Sequence, residues 1–121
     1  YPFFWGHADE RGEGRGLGYN LNLPLPRKTG DEGFMAALAP AMQRIRAFAP
    51  DALVIALGLD AHESDPFGGL SVTTRGFSGI GSLIGAAKLP TVLVQEGGYK
   101  NEALGANLIS FLAGFRKALG T

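Results

Sequence analysis

The sequence has 121 residues, of which 45% are hydrophobic, so a single domain with a substantial core is expected. Eleven basic and eleven acidic residues cancel, which leaves no net charge to attract nucleic acid or an anionic membrane. Cysteine is absent, so disulfide frameworks and thiolate zinc sites are excluded. No apolar run approaches the roughly 20 residues that cross a bilayer, and no signal-peptide pattern is visible. We therefore expect a cytoplasmic protein.

The first third of the chain is irregular in pattern. It opens on YPFFWG, with no initiator Met and four aromatic residues among the first five. Natural termini are usually polar, so we expect the chain to begin inside a larger domain. Residues 6–18 are rich in glycine and charge, which predicts a loop. It is either a connector or a loop held in shape by its glycines beside a site. Residues 19–26 then alternate apolar side chains with Asn and Pro, which predicts a short strand near a sheet edge.

Helices and buried strands follow in alternation. Asp31 is expected to cap a helix that runs to about Ala49, although Pro40 should kink or split it. Residues 52–57 are short and uniformly apolar, as in a central parallel strand, and residues 91–94 repeat this pattern. Between these strands, Thr73 or Thr74 can cap a helix whose apolar stripe is Phe77, Ile80, Leu83, Ile84 and Ala87.

The carboxyl-terminal segment reads as one more helix. Asn101 can cap it, its apolar stripe extends from Leu104 to Leu119, and Gly120 can end it. The resulting β-α-β-α-β-α order predicts an α/β fold with a mainly parallel sheet and helices on both faces, in three αβα layers. No linker or repeat interrupts the chain, so residues 1–121 are expected to form one structural unit.

Polar side chains follow both buried strands. Asp60, His62 and Asp65 come after the first strand, and Glu96 and Tyr99 come after the second. Because two parallel strands joined by one crossover helix end at the same edge of the sheet, these side chains are expected on one rim. Open α/β sheets bind ligands at that edge. The sequence therefore predicts a functional site formed by the two loops.

Each rim residue also has a simpler interpretation. Asp65 could hold a divalent cation or act as an acid or base, but Asp-Pro also opens ordinary turns. Tyr99 could donate a hydrogen bond to an oxygen that gains charge, or it could only pack. A lone loop histidine such as His62 is often solvated or hydrogen-bonded, and Glu96 could pair with a lysine. The convergence of all of them on one rim favours the functional interpretation.

Three stretches carry a family resemblance. LGLDAHESDPFGGLSVTTRGF (57–77), VLVQEGGYKNEALGANLISFLAGF (92–115) and GEGRGLGYNLNLPLP (12–26) together resemble the zinc-dependent histone deacetylase and acetylpolyamine amidohydrolase superfamily. The resemblance covers nearly all of the chain, and the Glu-Gly-Gly-Tyr segment is more like the bacterial acetylpolyamine amidohydrolase branch. It implies an arginase/deacetylase-like α/β fold and the removal of acetyl groups from acetyl-lysine or acetylpolyamine-type amines.

The resemblance assigns roles to individual residues. Asp65 matches the family's last zinc ligand, and Tyr99 matches the tyrosine that polarises the acetyl carbonyl. Gly97 and Gly98 match the pair that shapes the pocket floor, and Val72 falls where the family has an apolar residue on the rim of the acyl-lysine tunnel. Two further residues, Asp60 and His62, match no ligand and are expected to support the site indirectly or to be structural.

Part of the family's machinery is missing from the sequence. The resemblance implies two more zinc ligands, in an Asp-x-His motif, and paired histidines that activate water, all upstream of this region; His7 and His62 do not match them. Residues 1–121 are therefore expected to be the carboxyl-terminal part of a single deacetylase domain, inactive alone and completed by the amino-terminal part. Self-association through exposed apolar surface is a further expectation. The alternatives are a ligand-binding module and a structural or assembly module, both without catalysis.

Overall fold

The computed structural model describes residues 4–120; the aromatic opening at residues 1–3 lies outside this range. Short 3-10 turns occupy Gly14–Gly16 and Leu59–Ala61. The main elements, in chain order, are α1 (Asp31–Phe48), β1 (Leu53–Leu57), α2 (Thr74–Gly85), β2 (Thr91–Gln95) and α3 (Leu104–Leu119). This alternation confirms the α/β class. No helix among residues 4–120 has both the length and the apolarity to cross a membrane.

The two strands form a parallel pair. Leu53 lies opposite Thr91, Leu57 lies opposite Gln95, and α2 makes the crossover between them. Parallel strands need such a connection because they cannot be joined by a tight turn. The predicted β-α-β unit from residue 52 to residue 95 is therefore confirmed, and the two strands end at a common edge.

The helices pack on one face of this sheet. Leu53 and Leu57 of β1 join buried side chains from all three helices in one core cluster: Met42, Phe77, Ile80, Ile84, Phe111 and Phe115. The opposite face is apolar but exposed, with Val54 at 75% and with Val92 and Val94 also exposed. Within residues 4–120 only two of the three predicted layers are present, and β1 has β2 as its one strand neighbour.

The packing of α2 on α3 depends on two glycines. A Cβ at Gly81 would overlap the Phe111 carbonyl oxygen, and a Cβ at Gly114 would overlap the Ser78 carbonyl oxygen. Hydrogen atoms at these positions let the helix backbones approach closely. The contact buries the aromatic residues Phe77 and Phe111 almost completely.

The strand predicted for residues 19–26 is wrong, because these residues form no strand in the structure. Two prolines there cannot donate backbone hydrogen bonds, and the asparagines instead bond to the preceding loop. The Asn20 side-chain amide donates to the Glu10 carbonyl (2.7 Å), and the Asn22 amide donates to the His7 carbonyl (2.9 Å). These bonds fix the backbone of the loop at residues 6–18, which favours a loop with a fixed shape over a simple connector.

Two of the predicted caps have other roles. Helix α1 begins after Gly30 without a side-chain cap, and Asp31 accepts hydrogen bonds from the Thr73 amide (2.8 Å) and hydroxyl (2.7 Å) at the start of α2. Helix α3 begins at Leu104, later than a cap at Asn101 implies, and the Asn101 side chain accepts from the Ala103 amide (2.9 Å) in the turn before the helix.

The predicted cap at Thr73 is confirmed, and the predicted effect of Pro40 on α1 is weaker than expected. Thr73 caps α2 as predicted, because its hydroxyl oxygen accepts from the Gly76 amide at 3.1 Å. Pro40 does not split α1, which continues from Asp31 to Phe48. Its ring is exposed to solvent.

Candidate functional site at the carboxyl edge of the sheet

The loops that follow β1 and β2 stay together beyond the strands. The Glu96 amide donates to the Leu57 carbonyl, and the Leu59 amide donates to the Gly97 carbonyl, both at 3.0 Å. These two bonds continue the strand pairing into the loops. The expectation that the two loops share one rim therefore agrees with the structure.

Asp65 is the centre of this rim. One carboxylate oxygen, Oδ1, accepts from the amides of Phe67 (2.9 Å) and Gly68 (3.0 Å). The other, Oδ2, accepts from the Tyr99 amide across the two loops at 2.9 Å. The residue is only 8% exposed, and a buried carboxylate needs such donors to offset its lost hydration. Asp65 thus holds the loop after β2 against the loop after β1.

The Tyr99 ring lies at the open side of the same loop. It is 46% exposed and packs edge-to-face against Phe67, with 4.8 Å between ring centroids and 71° between planes. Its carbonyl accepts from the Asn101 side-chain amide at 2.9 Å. The backbone of Tyr99 is therefore fixed by two hydrogen bonds, while its ring borders solvent.

Gly97 and Gly98 are required by close packing against the first loop. A Cβ at Gly97 would overlap the Asp60 carboxylate. Gly98 has φ of 122°, and a Cβ there would lie 2.8 Å from the Leu59 Cβ. A side chain at either position would push the Tyr99 loop away from Asp65.

Asp60 lies between this glycine pair and a neighbouring cavity. The cavity measures about 410 Å³ and is bordered by Asp60, Arg27, Phe34, Phe67 and Leu70, among others. Asp60 is partly exposed and Glu96 is exposed. Both carboxylates stand at the edge that the sequence predicts, although neither has a hydrogen-bond role comparable to that of Asp65.

The structure corrects two predicted placements, His62 on the rim and Val72 at the tunnel, whereas the indirect or structural role expected of His62 stays a prediction. His62 does not face the rim: its ring is 5% exposed and stacks on Phe77 of α2, at 6.3 Å between centroids. Val72 is 0% exposed and belongs to the core cluster, so it does not border an open tunnel. Both residues lie in the segment before α2. A backbone bridge joins His62 to Val72 there, and both side chains face the core.

Comparison with known proteins identifies the family. The family model described as the histone deacetylase domain matches residues 1–115. The chain belongs to the histone deacetylase family. It is 52% identical over 115 residues to the acetylpolyamine amidohydrolase of Burkholderia pseudomallei (strain 1710b), covering 95% of this chain and 34% of that protein. It is 44% identical over 118 residues to acetylpolyamine amidohydrolase 1 of Pseudomonas aeruginosa, covering 98% and 34%.

A solved structure of the family shares the same fold. The crystal structure of the acetylpolyamine aminohydrolase from Burkholderia pseudomallei matches with a TM-score of 0.93 at 51% identity, over 98% of this chain and 34% of that one. The chain therefore spans about a third of the length of the relatives it matches.

The zinc that the family resemblance implies can be tested against these residues. Zinc sites use three or four protein ligands, and no group of three or more His, Cys, Asp or Glu residues within 4–120 could hold a metal. Asp65 fits the role of one ligand. A carboxylate offers about four acceptor positions, and three backbone amides occupy three of them.

Phe67 is the site residue that sequence reasoning missed. It is exposed, it touches the Tyr99 ring, and its amide donates to Asp65. An exposed aromatic residue directly after Asp-Pro, and directly before two glycines, was the available signal.

Proposed function

We propose that residues 1–121 form the carboxyl-terminal part of a zinc-dependent deacetylase domain that hydrolyses acetylated amines. The observation that carries this proposal is the arrangement of Asp65. Its buried carboxylate joins the two loops through three amides and keeps about one acceptor position free. A carboxylate so fixed is suited to bind a metal ion, and the exposed ring of Tyr99 follows directly in the same network.

Each residue has a distinct part in the proposed reaction. Zinc, when bound, supplies a polarised acetyl carbonyl and an activated water. Asp65 contributes one ligand, and two further ligands belong to residues outside this chain. Tyr99 donates its hydroxyl proton in a hydrogen bond to the carbonyl oxygen as negative charge develops there. Gly97 and Gly98 hold the Tyr99 loop against the Asp65 loop. Cleavage of the amide bond by water releases acetate and the free amine.

The relatives support an acetylated polyamine as the substrate. The two curated relatives cited above are named acetylpolyamine amidohydrolases, at 52% and 44% identity. We infer the same substrate class here, with acetyl-lysine as the competing substrate of the family. The amino-terminal part of the domain is then the necessary partner, and a cytoplasmic location remains a prediction.

Activity measurements on two polypeptides test the proposal. The complete domain, loaded with zinc, should release acetate from acetylputrescine faster than from an acetyl-lysine peptide. Residues 1–121 alone should release none, because one carboxylate is a poor zinc site and no histidine here matches the general base.

The controls separate the alternatives. In the complete domain, Asp65→Asn should abolish stoichiometric zinc by elemental analysis, whereas Glu63→Gln, an exposed carboxylate in the same loop, should not. Full zinc content in the Asp65→Asn variant would show that Asp65 is not a zinc ligand and only helps to form the turn. A complete domain that binds acetylated amines without hydrolysing them would support the ligand-binding alternative instead.

A further inference from the structure

A polar network that is buried at His62 and Asn107 lies directly behind the Asp65 loop, and the proposed reaction does not use it. Its members are His62 and Ser64 of the loop, Thr74 at the start of α2, and Asn107 and Ser110 of α3. His62 is 5% exposed and Asn107 is 0% exposed. The network therefore connects the loop that carries Asp65 to α2 and α3.

The hydrogen bonds of the His62 ring define its tautomer. The Ser64 amide donates to Nδ1 at 3.2 Å, and the Ser64 hydroxyl lies 2.8 Å from the same atom. A backbone amide can only donate, so Nδ1 carries a lone pair and the ring proton of the neutral imidazole sits on Nε2. Nε2 lies 3.5 Å from the Thr74 hydroxyl, at the long end of hydrogen-bond distance.

The network continues in one direction into α3. The Thr74 hydroxyl donates to the Asn107 side-chain oxygen at 2.7 Å, so it is free to accept from His62 Nε2. The Ser110 hydroxyl donates to the Thr74 carbonyl at 2.6 Å. Thr74 is thus held at two atoms by α3, and the His62 ring is held between Thr74 and Ser64.

Stability alone does not favour this arrangement. Among residues 4–120 the buried Nδ2 of Asn107 has no hydrogen-bond partner, and a buried donor without a partner costs free energy. A leucine would occupy similar space without that unpaired donor, although the Thr74 hydroxyl would then lose its acceptor. The polar network has a further consequence that an apolar core would lack: it fixes the orientation of one ring with respect to one loop.

The ring orientation determines the backbone that leads into Asp65. The imidazole accepts from the Ser64 amide, and the His62 carbonyl accepts from the Asp65 amide at 3.0 Å. The His62 amide in turn donates to the Leu59 carbonyl at 3.2 Å. Both peptide groups that precede the Asp65 side chain are therefore bonded to His62, either to its ring or to its backbone.

We propose that His62 is a positioning residue for Asp65, with Thr74 and Asn107 holding its ring in place. The inference rests on the proposed function, in which Asp65 is a zinc ligand. Residues that orient a metal ligand typically change metal affinity by roughly 10- to 100-fold when they are replaced. The His62 ring is buried and contacts Ser64, Thr74 and Phe77, so its effect must pass through the loop.

The first measurement needs no zinc. In the zinc-free complete domain, His62→Phe keeps a ring to stack on Phe77 but removes both nitrogens. We expect faster amide hydrogen exchange at the three residues that donate to Asp65, namely Phe67, Gly68 and Tyr99, with α3 unchanged. His62→Asn, which retains an acceptor near the Nδ1 position, should restore most of the protection. Uniformly faster exchange across the domain would overturn the positioning role in favour of a general structural one.

The second measurement is the zinc dissociation constant, from competition with a chelator. His62→Phe should weaken zinc binding roughly 10- to 100-fold and lower kcat with little change in KM, and His62→Asn should recover much of both. If His62→Phe does not fold, Thr74→Val makes the same test with the imidazole in place, and a smaller effect in the same direction is expected. Wild-type zinc affinity in Thr74→Val and wild-type exchange at Phe67 would overturn the proposal.

Asp65→Asn separates failure of this inference from failure of the proposed function. If Asp65→Asn loses zinc and His62→Phe binds it as the wild type does, the positioning role is wrong and the proposed function stands. If Asp65→Asn keeps zinc, the proposed function is wrong. The exchange of the Phe67, Gly68 and Tyr99 amides then still decides whether His62 orders the Asp65 loop.

Discussion

Replacing Asp65 by asparagine should destabilise the protein even when no metal is present. The two side chains have the same shape, but the amide nitrogen of asparagine cannot accept a hydrogen bond. In the structure both carboxylate oxygens accept: Oδ1 from Phe67 and Gly68, and Oδ2 from Tyr99. Whichever way the asparagine side chain is turned, at least one backbone amide faces another donor.

The size of the effect follows from these three bonds. A buried donor left without an acceptor costs about 1–3 kcal/mol, and bonds to a charged acceptor exceed bonds to a neutral one by about 1 kcal/mol each. We therefore expect a loss of about 3–5 kcal/mol in the free energy of unfolding, from a total that is about 5–15 kcal/mol in typical domains. The melting temperature should fall by on the order of 10 °C.

Thermal and urea unfolding of the chelator-treated complete domain measure this loss directly. The matched control is Glu63→Gln, which makes the same chemical change on an exposed side chain of the same loop and should stay within about 0.5 kcal/mol of the wild type. If the zinc-free Asp65→Asn variant is as stable as Glu63→Gln, the three amides do not depend on the carboxylate. The argument that Asp65 joins the two loops would then be wrong.

Three further outcomes are expected. Tyr99→Phe should lower kcat for acetylputrescine roughly 100- to 1000-fold with an unchanged melting temperature, and a wild-type kcat would remove the hydroxyl from the reaction. Gly98→Ala should destabilise by about 1–3 kcal/mol because of its positive φ and its crowding. Gly105→Ala, in a helical position with open space around it, should instead stabilise by about 0.5–1 kcal/mol when both variants are unfolded in urea. Equal changes in the free energy of unfolding for Gly98→Ala and Gly105→Ala would contradict this reasoning. For residues 1–121 alone, Val92→Lys on the exposed sheet face should reduce self-association in sedimentation velocity. Unchanged self-association would contradict the role of this face.

The sequence predicts the β-α-β unit and its rim well. Uniformly apolar strands separated by a helix with one apolar stripe have few alternative arrangements. Once they form a parallel pair, the carboxyl ends must share an edge. For this reason Asp65 and Tyr99, which are 34 positions apart, could be placed together from pattern alone, and the structure joins them by a hydrogen bond.

Local polar patterns predict the hydrogen-bond partners of individual side chains poorly. Asp31 and Asn101 have the side chains typical of helix caps, but short polar side chains bond to whichever backbone amides the fold brings near. Asp31 bonds to Thr73, 42 residues away. The alternation in residues 19–26 resembles a strand, yet Asn20 and Asn22 bond to the preceding loop instead. A strand requires a partner, and no short-range pattern specifies one.

By itself, the sequence determined the order of the elements from α1 to α3, the family and the edge at which the site lies, because these follow from periodicity and from short motifs. Only the tertiary structure decided which way each loop side chain points. Asp65 turns toward three amides from two loops, whereas His62 and Val72, in the same segment, turn into the core. The direction of a loop side chain has no periodicity, since it is set by bonding and packing with residues that are distant in the chain, here Tyr99, Phe77 and Asn107.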